Sequence, residues 1–383
     1  MKKSNIYKVY LIYFISMLLF CCLRIAASFG LFELMHPDIS NIVYTVIIQV
    51  GLMFVLPFTI YTLMFHNKDG FSGTFRDTHL SHGISFRVVL ISFALGILAF
   101  CINIAVSTLF NGIIAFFGYS QPVTAVGESE GSLFPDWVNF LIQLGTVAVL
   151  PAFCEEFIHR GILFRGIRTI GYKKAIVISS LLFGLLHFNI NQFFYAFVLG
   201  MLMALICVVS KSIYPAIIIH FTNNAISVYL SSAEQYGWFG KNFYNVLNNF
   251  LQTSTPFLTF ISCFLFLTLV VVLIILLIAR MFKLSTLNKV QRVINSIYTE
   301  NEKATTNSPI VVEKSKMLQE MLESNTTLNL NYEEMKSPID VVLPKQKNIY
   351  KPQLEDNLFL ISATVLGGLI TFFTFLWGLV WYR

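Results

Sequence analysis

Long apolar runs separated by short polar segments set the pattern of this chain. The runs 7 to 29, 43 to 65, 87 to 117, 137 to 158, 174 to 188, 193 to 210, 213 to 232, 256 to 281 and 357 to 382 each read as a helix. Several reach the roughly 20 residues that a helix needs to cross the hydrocarbon core of a bilayer. The predicted fold class is all-α, a polytopic transmembrane helix bundle with about eight core helices and one more at the C-terminus. The first run follows Lys2 and Lys3, as a signal peptide would, but it is too long for an h-region. Cys21-Cys22-Leu23-Arg24 is also no small-residue cleavage site. It is expected to be a retained anchor.

Composition agrees with lipid as the main solvent. Of the 383 residues 56% are hydrophobic and 12% charged, more apolar surface than a soluble domain can bury. The formal charge of +6 comes largely from residues next to the runs. Lys2, Lys3 and Lys8, then Lys68, Arg76 and Arg87, then Arg165, Arg168, Lys173 and Lys174, then Lys211 fall on one side of the expected membrane. The loop from Tyr119 to Asp136 on the other side carries Glu128, Glu130 and Asp136. Basic residues stay cytoplasmic, so the N-terminus is expected inside and, with nine spans, the C-terminus outside. The same residues would meet anionic membrane lipids. No basic stripe suggests nucleic acid as a partner. The six cysteines lie inside apolar runs with no metal-ligand spacing and read as small buried hydrophobes.

After Arg280 the composition turns polar and stays so to about Asp356, with Pro309, Pro338, Pro344 and Pro352 scattered through it. This reads as a cytoplasmic linker, 284–356, in which Val311 to Leu322 would form a short amphipathic helix. Phe71 to Arg87 reads either as an interfacial amphipathic segment or as an ordinary loop.

Ionisable residues inside membrane helices cost roughly 2.5 to 3.5 kcal/mol each, so each needs a partner or a task. Here they gather in three segments, 154–160, 183–189 and 220–224. Glu156 and Arg160 are four apart and share a helical face as an ion pair. Glu155, about 100° further round, is left without that partner. Phe183 stands one turn before His187, where its ring can hold the imidazole. His220 and Asn224 share another face, with Asn223 rotated away, and would aim two donors at a developing negative charge. The inventory is that of a hydrolase. It has no GxSxG and no Cys-His arrangement, so water is the attacking group. A proton relay for transport would use the same residues, but no pair of broken helices points to it.

Glu155-Glu156-xxx-Arg160, Phe183-xxx-His187 and His220-xxx-Asn224 resemble, in order, the EExxxR, FxxxH and HxxxN motifs of the CPBP intramembrane protease family, which includes type II CAAX prenyl endopeptidases and Abi proteins. The resemblance implies that Glu155 and His187 activate water, that His220 and Asn224 stabilise the oxyanion, and that Glu156 and Arg160 support the structure. It also divides the chain into N-terminal helices and loops at 1–136, a catalytic core at 137–232, an external loop and helix at 233–283, the linker at 284–356 and a last helix at 357–383. The expected activity is endopeptidase cleavage of a membrane-associated or lipidated peptide or protein, reached from the bilayer or from the cytoplasmic side where the helix carrying Glu155 ends. The alternative is a non-proteolytic membrane regulator or bacteriocin-immunity-type protein of the same fold. No cofactor is expected. Zinc is the one alternative, since His159 lies one turn after Glu155 and Glu155, His159, His187 and His220 would offer ligands. The linker and last helix lie outside the shared core and would either recruit a membrane protein partner or serve as a tether. The expected location is the cell membrane.

Overall fold

The computed structural model describes residues 5–80, 83–119, 132–243, 245–247, 256–301, 350 and 352–380; at 256, 286–301 and 380 it describes the backbone alone. Glu128, Glu130 and the amphipathic helix expected at Val311 to Leu322 lie outside the described residues, as does the linker from 302 to 349.

Among the described residues all regular structure is helical. Each apolar run becomes a helix: α1 Ile6–Ser28, α2 Pro37–Phe65, α4 Phe86–Phe116, α5 Asp136–Ile170, α6 Tyr172–Leu186, α7 Ile190–Ser210, α8 Tyr214–Tyr236, α9 Pro256–Asn301 and α10 Leu354–Val380. A short helix, α3 Gly70–Asp77, folds back under the end of α2, where Phe71 and Phe75 pack against Phe58. The protein is a multi-pass membrane helical bundle, with seven helices long and apolar enough to cross by themselves. Its outward faces carry large apolar side chains, such as Phe264, Leu265 and Leu276 on α9, which suits lipid as solvent.

Two prolines shape the helices that matter most. Pro57 and Pro151 lack an N–H, and their rings crowd the carbonyls of Met53 and Val147 four residues earlier. Both carbonyls lie in wide, π-helical turns, at Ile47–Val55 in α2 and Leu144–Val149 in α5. A third wide stretch, Phe157–Phe164, follows Glu156.

α5 is longer than its apolar run suggests. Charge at Glu155, Glu156 and Arg160 marks an end near residue 158, but the helix continues to Ile170 because Arg160 is fully buried and paired. Glu155 therefore lies near the middle of a 35-residue helix and not at its cytoplasmic end. α9 likewise runs past the composition break at Arg280 to Asn301, a 46-residue helix about 70 Å long at 1.5 Å per residue.

α6 and α7 form the tightest pair. Gly184 approaches the Phe193 backbone and Gly200 the Ser180 backbone so closely that a Cβ on either would lie 3.0 Å away. Small residues permit such approach in membranes, where packing drives helix association. The hairpin turns through Phe188, fully buried at φ +49°, and Asn189, whose side chain accepts from the Asn191 N–H at 2.8 Å. α4 packs along α8 and α9, and α10 lies against α1 and the α6 and α7 hairpin.

Candidate functional site

Phe183 is the hub of the site. Its ring, 2% exposed, meets His159, His187 and His220 edge to face, with centroids 4.9, 5.3 and 5.7 Å away. The Arg160 guanidinium stands 4.5 Å from the same centroid. Three helices, α5, α6 and α8, thus converge on one phenyl ring, which fixes the imidazoles by packing and the cation by its π face.

Glu156 and Arg160 are both fully buried and bonded at 2.7 Å. Arg160 also donates to the Gly200 carbonyl at 3.0 Å, which ties α5 to the close α6 and α7 pair. The Glu156 oxygen that takes the arginine also accepts from His220 Nδ1 at 3.0 Å. This bond bears on the donor role expected of His220. With Nδ1–H committed to Glu156, the neutral ring presents a lone pair at Nε2, and it becomes a donor there only when protonated.

Glu155 is handled differently. Among the described residues no cation pairs with it; its Oε1 accepts from Gln49 Nε2 at 2.8 Å. Gln49 comes from the wide turns of α2 and is 9% exposed.

The histidines near Glu155 have their tautomers set by backbone carbonyls, which only accept. His187 Nδ1 donates to Phe183 O at 2.9 Å, and His159 Nδ1 donates to Glu155 O at 2.7 Å. Both neutral rings carry the lone pair at Nε2. For His187 that nitrogen has no protein partner among the described residues, and Glu155 and His220 lie close enough to act on the ring electrostatically. The His187 carbonyl, at the end of α6, accepts from Arg24 at 3.1 Å. For His159, Nε2 lies 3.2 Å from Tyr13 Oη, whose single proton is shared between that nitrogen and Leu182 O at 2.8 Å. His159 is fully buried, with Nδ1 bonded to Glu155 O and Nε2 beside Tyr13 Oη. Among the described residues no group of three or more His, Cys, Asp or Glu side chains is placed to hold a metal ion.

Asn224 donates to Val147 O at 2.9 Å, the carbonyl that Pro151 cannot serve. Its own oxygen accepts from Asn223 at 2.8 Å, so Asn223 is drawn into the site instead of turning away. Among the described residues Asn224 donates one amide hydrogen, to Val147 O, and the other has no protein acceptor.

Of the seven residues singled out from sequence, His187, His220 and Arg160 meet Phe183 and Glu156 bonds to two of them, while Glu155 bonds to Gln49 and Asn224 to Val147 O. Three others belong with them. Gln49 carries a signal in the sequence, a primary amide alone in the run Val46-Ile47-Ile48-Gln49-Val50, where burial of a polar group asks for a partner. Asn223 carries the same signal. Tyr13 does not, because a tyrosine in an apolar run is unremarkable until His159 is found beside it. All six cysteines have free thiols; Cys22 faces outward and Cys101 is half-buried, so those two are not core residues.

Residues 137–226 match a family model described as Type II CAAX prenyl endopeptidase Rce1-like. No curated protein and no solved structure matches the chain. The family match bears out the resemblance carried by the three motifs and takes in every motif residue. It leaves out α1 to α4, α9 and α10, and with them Tyr13 and Gln49.

Proposed function

Because residues 137–226 form a domain of the CPBP type, similar to type II CAAX prenyl endopeptidases, we propose that this protein is an intramembrane endopeptidase. It hydrolyses a peptide bond of a membrane-associated or lipidated peptide with water activated by Glu155 and His187. One observation carries the reading. Two adjacent glutamates are treated in opposite ways, Glu156 being paired with Arg160 while Glu155 faces only an amide, next to a histidine whose Nε2 is an open proton acceptor.

In this reading the water oxygen attacks the scissile carbonyl as its proton passes to the Glu155 and His187 pair. The carbonyl π electrons move to oxygen, and the uncommitted Asn224 amide hydrogen meets that charge. His220 keeps its Nδ1–H on Glu156, so a donor role at the same oxygen would require a proton at Nε2. Collapse of the tetrahedral intermediate breaks the C–N bond and returns the proton to the leaving amine. No step in this reading uses a metal ion. The chain lies in the cell membrane with its N-terminus in the cytoplasm, as the basic residues next to the spans favour.

The test is cleavage of a lipidated, fluorophore-quenched peptide by protein reconstituted in liposomes. Glu155→Gln and His187→Ala are each expected to lose on the order of 10²- to 10⁴-fold in kcat. Cleavage retained in both variants sinks the proposal. Activity is expected to survive strong chelators, and its loss would overturn the metal-free route.

A further inference from the structure

Gln49 lies outside the matched segment, on a helix that carries none of the three motifs. Its Nε2 donates to Glu155 Oε1 at 2.8 Å, and its own Oε1 is buried with no hydrogen-bond partner. A primary amide carries its donor and acceptor on one carbon, so fixing Nε2 on the carboxylate also fixes where Oε1 points. A buried acceptor without a donor is costly, and such an orphan in a native structure points to an unseen donor.

We propose that Gln49 is a positioning residue that holds the attacking water. The inference rests on the hydrolytic reading above and deepens it. A water bound beside Glu155 has two hydrogens to place. One goes to the Glu155 and His187 pair, which removes it during attack. The other goes to Gln49 Oε1 and stays on the oxygen as the C–O bond forms, leaving an oxygen lone pair directed at the substrate carbonyl. Water suits the orphan better than a substrate N–H does. Gln49 is 9% exposed and its Oε1 is sealed off, so the donor is small and already resident. Proline shapes this placement too. Gln49 stands in the wide-turn stretch Ile47–Val55 that accommodates Pro57, and the local change of helical register sets its direction.

The experiment compares wild type, Gln49→Leu, Gln49→Asn and Glu155→Gln, all full length, in two measurements. In the liposome cleavage assay Gln49→Leu is expected to lower kcat on the order of 10²-fold, the scale of a misplaced reactant. KM should stay within about twofold of wild type, and Gln49→Asn should recover part of kcat. In infrared difference spectra against Glu155→Gln, wild type should show the Glu155 carboxylate band and a water O–H band that shifts in H₂¹⁸O. Gln49→Leu should displace the first and abolish the second. Unchanged kcat in Gln49→Leu, a loss shared by KM and thermal stability, or infrared bands unaffected by the substitution overturns the proposal. Absence of cleavage in wild type refutes the hydrolytic reading alone, and the infrared bands then still decide whether Gln49 holds a water on Glu155.

Discussion

Arg160 is held in a fully buried position by three contacts: the Glu156 carboxylate, the Gly200 carbonyl and the face of Phe183. Removing one partner of such a pair leaves an uncompensated charge, at about 3–5 kcal/mol. Arg160→Ala is therefore expected to lower unfolding free energy by that amount in a detergent denaturation series. Arg160→Lys should recover little, because an ammonium cannot serve a carboxylate, a carbonyl and a ring face together. Tyr13 offers a milder case. Its single hydroxyl proton is shared between Leu182 O at 2.8 Å and His159 Nε2 at 3.2 Å. Tyr13→Phe strands a buried carbonyl, and about 1–3 kcal/mol of stability should be lost. Local residue pairs were legible beforehand. Glu156 and Arg160, or Phe183 and His187, are four apart on one helix, and helix geometry alone brings them together. Gln49 and Glu155 were not, being 106 positions apart.

Helix pairs decide how rigidly those residues are held. α6 carries Phe183 and His187, and its contact with α7 depends on Gly184 and Gly200, where there is no room for a side chain. At Gly200 a Cβ would stand 3.0 Å from the Ser180 Cα and Cβ, in front of the carbonyl that Arg160 uses. Gly200→Val is expected to force α6 and α7 apart, costing about 1–3 kcal/mol in the same denaturation series. It should also lower kcat, because His187 moves with α6. Apolar pattern located each helix but misjudged two ends, those of α5 and α9. Charge at residues 155–160 reads as a membrane boundary when the partners are unknown. With Glu156 and Arg160 neutralising each other inside the bundle, α5 continues to Ile170.

At the scale of the whole molecule, the segment matched to the protease family does not stand alone. α10, more than a hundred residues beyond it, lies along α1 and reaches the hairpin that bears His187: the Ile190 N–H donates to Thr374 Oγ1 at 3.2 Å. Gly367 touches α1 and α6 together, with a Cβ there falling 2.5 Å from Met17 and 2.8 Å from Leu185, whereas a Cβ at Gly368 would meet nothing within 4 Å. Gly367→Leu should lower both thermal stability and cleavage rate, while Gly368→Leu should leave both near wild type. Equal behaviour of the two variants would show that α10 does not brace the α6 and α7 hairpin.

By itself the sequence determined the solvent, the helices and the three motifs. Those depend on composition and on neighbours within one or two turns, which the chain's own periodicity places. Tertiary structure decided which partners outside their own helices the motif residues take, and which helices outside the motifs reach them. Each of those outcomes rests on a contact across the bundle, from Tyr13 to His159, Gln49 to Glu155, His220 to Glu156 or Asn224 to Val147. Helical period carries no record of such contacts. They exist only once packing around Phe183 has set the distances between helices.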